Sequence, residues 1–185
     1  GVRLYFELSN MLIGMSVLGV LCMIPSYVAS LQHLDDGAYA RLRKQFKVPI
    51  AEFGGIQEAL GRIGRESYAV LASVELTNAI IDNHEAPMVL SSIMKQTCTE
   101  RGRRVVTDGM DILGGAGICR GEMNFLGNMF MAMPVGITVE GANIMTRSFM
   151  TIGQGITRCH PHMLPLISSL QSDAPDAPAQ FRGQF

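Results

Sequence analysis

Two apolar stripes of helical period, one on each side of Pro87, constrain this chain more than any other feature. Ile50, Phe53, Ile56, Leu60, Ile63, Val70, Leu71, Val74 and Ile81 recur mostly at three- and four-residue steps. That spacing puts them on one face of a helix that starts at Pro49 and ends near Asn83-His84-Glu85, because a residue ahead of a proline is pushed out of the helical region. Leu90, Ile93, Met94, Cys98, Val105, Val106, Met110 and Leu113 repeat the pattern in a second helix from about Met88 to Leu113. Gly114-Gly115-Ala116-Gly117 then stops it, as a helix cap and turn. A chain of 185 residues with no Trp, 6% aromatics and 13 Met is poorly suited to an all-β fold. The expected fold is all-α, an antiparallel, four-helix-bundle-like domain of three or four long helices.

The flanking segments are weaker signals. Ala38 to Phe46 reads as the end of a helix whose basic residues, Arg41, Arg43, Lys44 and Lys47, gather toward its C-terminus. Ile118 to Pro134, rich in Met, Asn, Phe and Gly, holds no sustained period and reads as a connecting loop with at most one short helix. Val135 to Gly153 reads as a third helix with Glu140, Asn143 and Arg147 on one side and the Glu140 helix packed against one end of the bundle. Ser172 to Phe185 mixes Pro, Asp, Ala and Gln and reads as unstructured.

The first segment has a different character. No Asp, Glu, Lys or Arg occurs from Leu8 to Leu34, and Met11 to Leu31 is about long enough to cross a bilayer. Pro25, Gly14 and Gly19 weaken that reading. Three readings stand: a transmembrane or interfacial anchor, a buried helix, or sequence foreign to the domain that follows. The expected division is therefore residues 1–36, an apolar segment; 37–158, the helical domain; and 159–185, a partly unstructured extension. The chain opens at Gly1 rather than Met, which reads as a fragment or a processed product.

Charge and composition narrow the function. A net charge of −1, from 15 basic and 16 acidic side chains, leaves no electrostatic footprint for nucleic acid. With 17% charged residues and a mean hydropathy of +0.23, the chain is not mainly disordered. Cys22, Cys98, Cys119 and Cys159 form no CxxC pair and read as buried thiols in a reducing compartment. Cys159-His160-Pro161-His162 comes nearest to a metal cluster, but Pro161 interrupts any helix that could set ligand geometry, so no metal is expected.

Three groups of residues could carry chemistry. The glycines at 114–117 allow close backbone approach, so a nucleotide phosphate could lie against them, although a plain helix cap accounts for the same spacing. Arg41, Arg43 and Lys44 form either a solvated helix end or an anion clamp, since an arginine fork grips phosphate through two bonds. Glu140 lies in the apolar stretch Ile137-Thr138-Val139-Glu140-Gly141-Ala142-Asn143-Ile144. Apolar neighbours raise a carboxyl pKa toward that of a working base. A helix-N-terminal carboxylate held by the macrodipole fits the same position.

Together these pieces resemble the C-terminal helical domain of the acyl-CoA dehydrogenase family, most nearly its large bacterial long-chain branch of fatty-acid β-oxidation. The blocks that carry the resemblance are Ala38-Tyr39-Ala40-Arg41-Leu42-Arg43-Lys44-Gln45-Phe46-Lys47, then Asp108-Gly109-Met110-Asp111-Ile112-Leu113-Gly114-Gly115-Ala116-Gly117-Ile118, then Thr138-Val139-Glu140-Gly141-Ala142-Asn143-Ile144-Met145-Thr146-Arg147. Phe149 to Pro161 is also similar, and the resemblance covers roughly Gly37 to Leu170. Lys47 stands where much of the family has Gly, Asp111 where many members have Gln, Ala142 where Thr is common, and Ile144 where a polar residue is common. The Asp and Ala variants are similar to the long-chain branch.

The resemblance implies a role for each matched position. Glu140 would be the base that takes the α-proton of an acyl thioester while the β-hydrogen leaves as hydride to FAD, giving a trans-2-enoyl-CoA. Polarisation of the thioester carbonyl by the backbone N–H of the base and a flavin hydroxyl would make that proton acidic. Arg43 would grip the FAD pyrophosphate of a neighbouring subunit, with Phe46 beside the cofactor. Asp111 and the Gly114-Gly115 backbone would touch the adenosine side, and Gly141 the flavin. The implied partners are a long-chain acyl-CoA, an electron-transfer acceptor and further copies of the chain in a homo-oligomer. The implied location is the cytoplasm, at the inner membrane if the first segment is an anchor, or the mitochondrion in a eukaryote. The family's N-terminal helical domain and middle β-domain do not fit in 185 residues, so this chain alone is expected to have little or no activity. The alternative function is a non-enzymatic, membrane-tethered helical bundle or an inactive remnant.

Overall fold

Buried side chains pair up along the two long helices, and that pairing defines the architecture. The computed structural model describes residues 36–84, 87–139, 141–172 and 174–183. In chain order the elements are α1 (Asp36–Leu42), the hairpin strands β1 (Lys44–Gln45) and β2 (Val48–Pro49), a 3-10 turn (Ile50–Glu52), and the long helices α2 (Gly54–Asp82) and α3 (Met88–Leu113). There follow α4 (Gly115–Ile118), α5 (Gly127–Thr138), α6 (Asn143–Met145), a π-helix (Thr146–Ile156), α7 (Thr157–Cys159), α8 (Met163–Leu170) and α9 (Ala177–Arg182). The fold is all-α, with a two-stranded antiparallel hairpin as the only sheet among the described residues, in which Lys44 pairs with Pro49 and Gln45 with Val48.

Helix α3 is the central rod. Helix α2 lies antiparallel to it, with Val70 and Val74 packed on Met94 and Cys98 at one end. At the other end Ala59 and Ile63 pack with Val105 and Val106. The Arg62 guanidinium grips Asp108 by a fork, Nε to Oδ2 at 3.1 Å and Nη2 to Oδ1 at 2.9 Å, which fixes the register of the two helices. Helix α5 also runs antiparallel to α3: Leu126, just ahead of it, packs on Gly109, and the Ile137 carbonyl reaches Lys95. The π-helix continues the same course toward Val89. Two glycines make these contacts possible. A Cβ at Gly109 would stand 2.7 Å from both Asp36 Oδ2 and Leu126 Cδ1, and one at Gly155 would stand 2.8 Å from Val89 Cγ1.

Between α2 and α3, Glu66 is buried and ion-paired to both Arg101 and Arg65. Burial pushes the Glu66 carboxyl upward, but its bonds to Arg65 and Arg101 outweigh that and hold it below the usual carboxylate range. A carboxylate with a depressed folded pKa adds stability above its unfolded value, near about 4.3, and loses it as pH falls through the folded one. The midpoint of thermal unfolding is therefore expected to drop as pH is lowered below about 4, and less steeply in Glu66→Gln. Equal slopes for the two proteins would contradict this.

Several expectations are corrected by the structure. The helix expected over Ala38 to Phe46 stops at Leu42, and the basic segment instead forms the hairpin. Pro49 ends β2, and the long helix begins at Gly54. The loop expected from Ile118 to Pro134 gives way to α5, with Pro134 inside the helix. The helix expected from Val135 to Gly153 is broken after Thr138, where Gly141 adopts φ +88°. Part of the tail, Ala177–Arg182, is helical and lies against α8, whose Ser169 is buried. Cys98 is buried, and that burial pushes its thiol up to about 11 and leaves it protonated. Cys119 and Cys159 are exposed, against expectation. Among the described residues no helix is long and apolar enough to cross a membrane. The segment Met11 to Leu31, and Cys22 within it, lies outside the described residues.

Candidate active site

The candidate residues gather in two places. At the first, α1 leads into a hairpin whose turn residues Phe46 and Lys47 adopt φ +52° and +69°. Both turn residues at positive φ match the twist of a two-residue hairpin. Glycine takes this conformation freely, whereas any other residue costs about 1 kcal/mol or more there. Phe46 nonetheless sits at the apex, 89% exposed, its ring edge-on to Phe53. Arg41, Arg43, Lys44 and Lys47 are exposed around it and form no ion pair among the described residues.

The end of α3 lies beside that hairpin. Ala40 of α1, Ile50 after the hairpin, and Ile112 and Leu113 of α3 share one core cluster, and the Tyr39 hydroxyl donates to the Leu113 carbonyl at 3.4 Å. Asp111 is exposed on the last turn of α3. Gly114 caps the helix at φ 56°, ψ −125°, a conformation that needs glycine, with its N–H donating to the Met110 and Asp111 carbonyls. Gly115 is exposed and a Cβ there would meet nothing in the chain, so internal packing does not demand a glycine. Arg43, Phe46, Asp111, Gly114 and Gly115 thus share one end of the molecule. Exposed guanidinium and ammonium groups, without an ion pair among the described residues, near open glycine backbone have the donor chemistry that a dinucleotide pyrophosphate requires. The residues present fit that part of FAD.

Gly141 belongs to the second place. Its carbonyl accepts from Lys95 Nζ at 2.6 Å and from Thr146 Oγ1 at 3.1 Å. Lys95 also donates to Asn143 Oδ1 at 2.7 Å and to the Ile137 carbonyl at 3.3 Å. Asn143 in turn donates to Thr99 Oγ1 at 2.9 Å and to Glu100 Oε1 at 3.1 Å. Burial pushes the Glu100 carboxyl up, and its bonds to Asn143 and Arg103 bring it below the ordinary value. Glu140 itself lies outside the described residues, in the chain between Val139 and Gly141. Of the side chains grouped with it, Asn143 is buried in this network and Arg147 is exposed.

Asp111 lies sixteen steps beyond Lys95 on α3, or about 24 Å of helix. The two groups therefore do not converge within one copy of the chain. Sequence reasoning missed Lys95, Thr99 and Thr146. A signal was present: Ser91, Ser92, Lys95 and Thr99 recur at three- and four-residue steps as a polar stripe on α3, and Lys95 is the lone charge between Pro87 and Thr99. Among the described residues no three His, Cys, Asp or Glu side chains gather to hold a metal ion.

A helical bundle carrying these two groups of residues defines the class of fold. Residues 28–154 match the family described as "Acyl-CoA dehydrogenase, C-terminal domain", and the chain belongs to that family. The match begins ahead of Gly37 and ends short of Leu170. Among solved structures, the chain is similar to an acyl-CoA dehydrogenase from Geobacillus kaustophilus at TM-score 0.72 and 19% identity, over 82% of this chain and 38% of that one. It is similar to the butyryl-CoA dehydrogenase of Megasphaera elsdenii at TM-score 0.71 and 22% identity, over 83% and 39%. PigA with FAD and proline aligns at TM-score 0.66 and 16% identity, over 76% and 37%. The chain thus spans less than two-fifths of the length of these proteins, and the likeness is one of fold.

Proposed function

We propose that this chain is the C-terminal part of an FAD-dependent acyl-CoA dehydrogenase acting on long-chain acyl-CoA. In this reading it supplies the α-proton base, Glu140, to one site and a cofactor-gripping corner to the site of a neighbouring copy. The observation that carries the proposal is the split of the family-matched residues between two ends of α3. An exposed cationic hairpin that forms no ion pair among the described residues stands at one end, and a tightly bonded turn flanking Glu140 at the other.

Glu140 takes the α-proton of the thioester onto its carboxylate, and the electron pair of that C–H bond becomes the new Cα–Cβ double bond. The FAD that Arg43 and the Gly114-Gly115 turn would help to hold would supply the acceptor for the β-hydrogen as hydride, with an external acceptor taking the electrons in turn. The chain's own task is placement. Lys95, Thr146 and Asn143 hold the turn that flanks Glu140, and Arg43 grips the pyrophosphate of the adjoining copy's cofactor, with Asp111 and the Gly114-Gly115 backbone on its adenosine side.

The cofactor half of this reading predicts that Arg43→Ala in the holoenzyme weakens FAD binding by about 10- to 100-fold, the value of a charge-assisted contact of about 1.5–3 kcal/mol. Fluorescence titration of the flavin-stripped protein measures it. An unchanged Kd would contradict the assignment of Arg43. For the substrate, kcat/KM is expected to rise from butyryl-CoA to palmitoyl-CoA, and the reverse order would contradict the long-chain reading.

A further inference from the structure

We infer that Lys95 is the positioning residue for the base: its buried ammonium clamps the backbone on both sides of Glu140 and so sets where the carboxylate stands. The inference rests on the reading of Glu140 as the base. A continuous helix through residues 137–146 would satisfy its own carbonyls, but the chain breaks there, with α5 ending at Thr138 and Gly141 at φ +88°. A break leaves carbonyls that need outside donors. Lys95, only 3% exposed, supplies them from α3, reaching Ile137 O before Glu140 and Gly141 O just after it. Its bond to Asn143 Oδ1 ties the start of α6 to the same ammonium.

The network extends from there. Thr99 Oγ1 donates to the Lys95 carbonyl at 2.7 Å and accepts from Asn143 Nδ2, so the clamp and the helix that carries it are bonded to each other. Thr146 gives Gly141 O a second donor. An ammonium offers three donors, and here three acceptors belong to the turn or its flanks. Burying a charge is costly unless it is satisfied in this way, so the position is a demanding one for a residue that only fills space. Asn143, bonded to Lys95 through Oδ1, donates through Nδ2 to the carboxylate of Glu100, which is itself engaged by Arg103.

Misplacement of a reacting group by about 1 Å costs about 100-fold in rate. In the holoenzyme, Lys95→Met keeps the stem and removes the donors, and is expected to lower kcat by about 100-fold with KM and flavin content little changed. Backbone amide exchange across 137–146 should quicken by about tenfold while 101–113 stays as it was. Thr146→Val, which removes the second donor to Gly141 O without touching the buried charge, should move both readings in the same direction by less; it reads the clamp if Lys95→Met does not fold. Unchanged exchange across 137–146, or faster exchange with normal kcat, would overturn the inference. Glu140→Gln run in parallel separates the two readings. Retained turnover there overturns the base assignment and this inference with it. A normal kcat in Lys95→Met beside an inactive Glu140→Gln overturns this inference alone.

Discussion

Glu140→Gln is expected to lower kcat by about a thousandfold or more while the purified protein keeps its flavin. The amide has the carboxylate's shape but cannot accept the α-proton, and a positioned general base contributes about 10²- to 10⁴-fold. Flavin content is expected to hold because the Gly114 turn and the hairpin beside it stand about 28 Å along α3 from the Lys95 clamp. Steady-state turnover with palmitoyl-CoA and the flavin-to-protein absorbance ratio measure the two halves of the claim. Turnover within tenfold of the parent would remove Glu140 from the chemistry. Loss of flavin along with turnover would mean that the two ends of α3 are not separate in function.

The largest effect on stability is expected at Leu126. It is 1% exposed and shares a cluster with Ala40, Ile50, Ala59, Ile63, Val105, Val106, Ile112 and Leu113, so it joins α1, α2 and α3 where α5 begins. Its Cδ1 occupies the space that Gly109 leaves open. Leu126→Ala removes that side chain from a site bounded by helices that cannot readily collapse, at a cost of about 3–5 kcal/mol. For a chain of this size, that lowers the midpoint of thermal unfolding by about 10 °C. Leu170→Ala serves as the control, since Leu170 is largely exposed and its truncation should change stability by no more than about 0.5 kcal/mol. Equal shifts for the two variants would contradict the packing described.

Leu126 also marks where the sequence was hardest to read. Punctuated helices were legible: Pro87 and Gly114 bracket α3, and its ends fall at Met88 and Leu113 as the stripe predicts. Helix α5 was not legible, because Met129, Phe130, Met131, Ala132, Met133, Val135 and Ile137 are apolar on all sides and leave no period to count. Pro134 adds a false stop, since a proline inside a helix normally breaks it. The hairpin was hidden for a related reason. Its turn takes Phe46 and Lys47 at positive φ, where glycine or asparagine would have announced it.

The candidate site divides in the same way. The basic residues, the glycine turn and Glu140 drew notice as residue types, but spacing left each with two readings. The roles proposed for them came from resemblance to a family whose C-terminal domain the chain does match over residues 28–154. The break beside Glu140 could not be read from residues 135–153, because the donor to the Ile137 and Gly141 carbonyls on either side of it is Lys95, some 45 residues ahead of Glu140 in the chain. A local sequence pattern does not report a long-range donor, and tertiary contacts override helical propensity where they supply the missing bonds.

The most direct test of the account uses the protein that contains this chain, isolated from its native source and held without oxygen while palmitoyl-CoA is added and the visible absorbance of its flavin is followed. The bound flavin is expected to bleach as one equivalent of palmitoyl-CoA is added per flavin, with trans-2-enoyl-CoA as the product. A bound flavin that stays oxidised with both palmitoyl-CoA and butyryl-CoA, or a natural protein that carries no flavin, would contradict it.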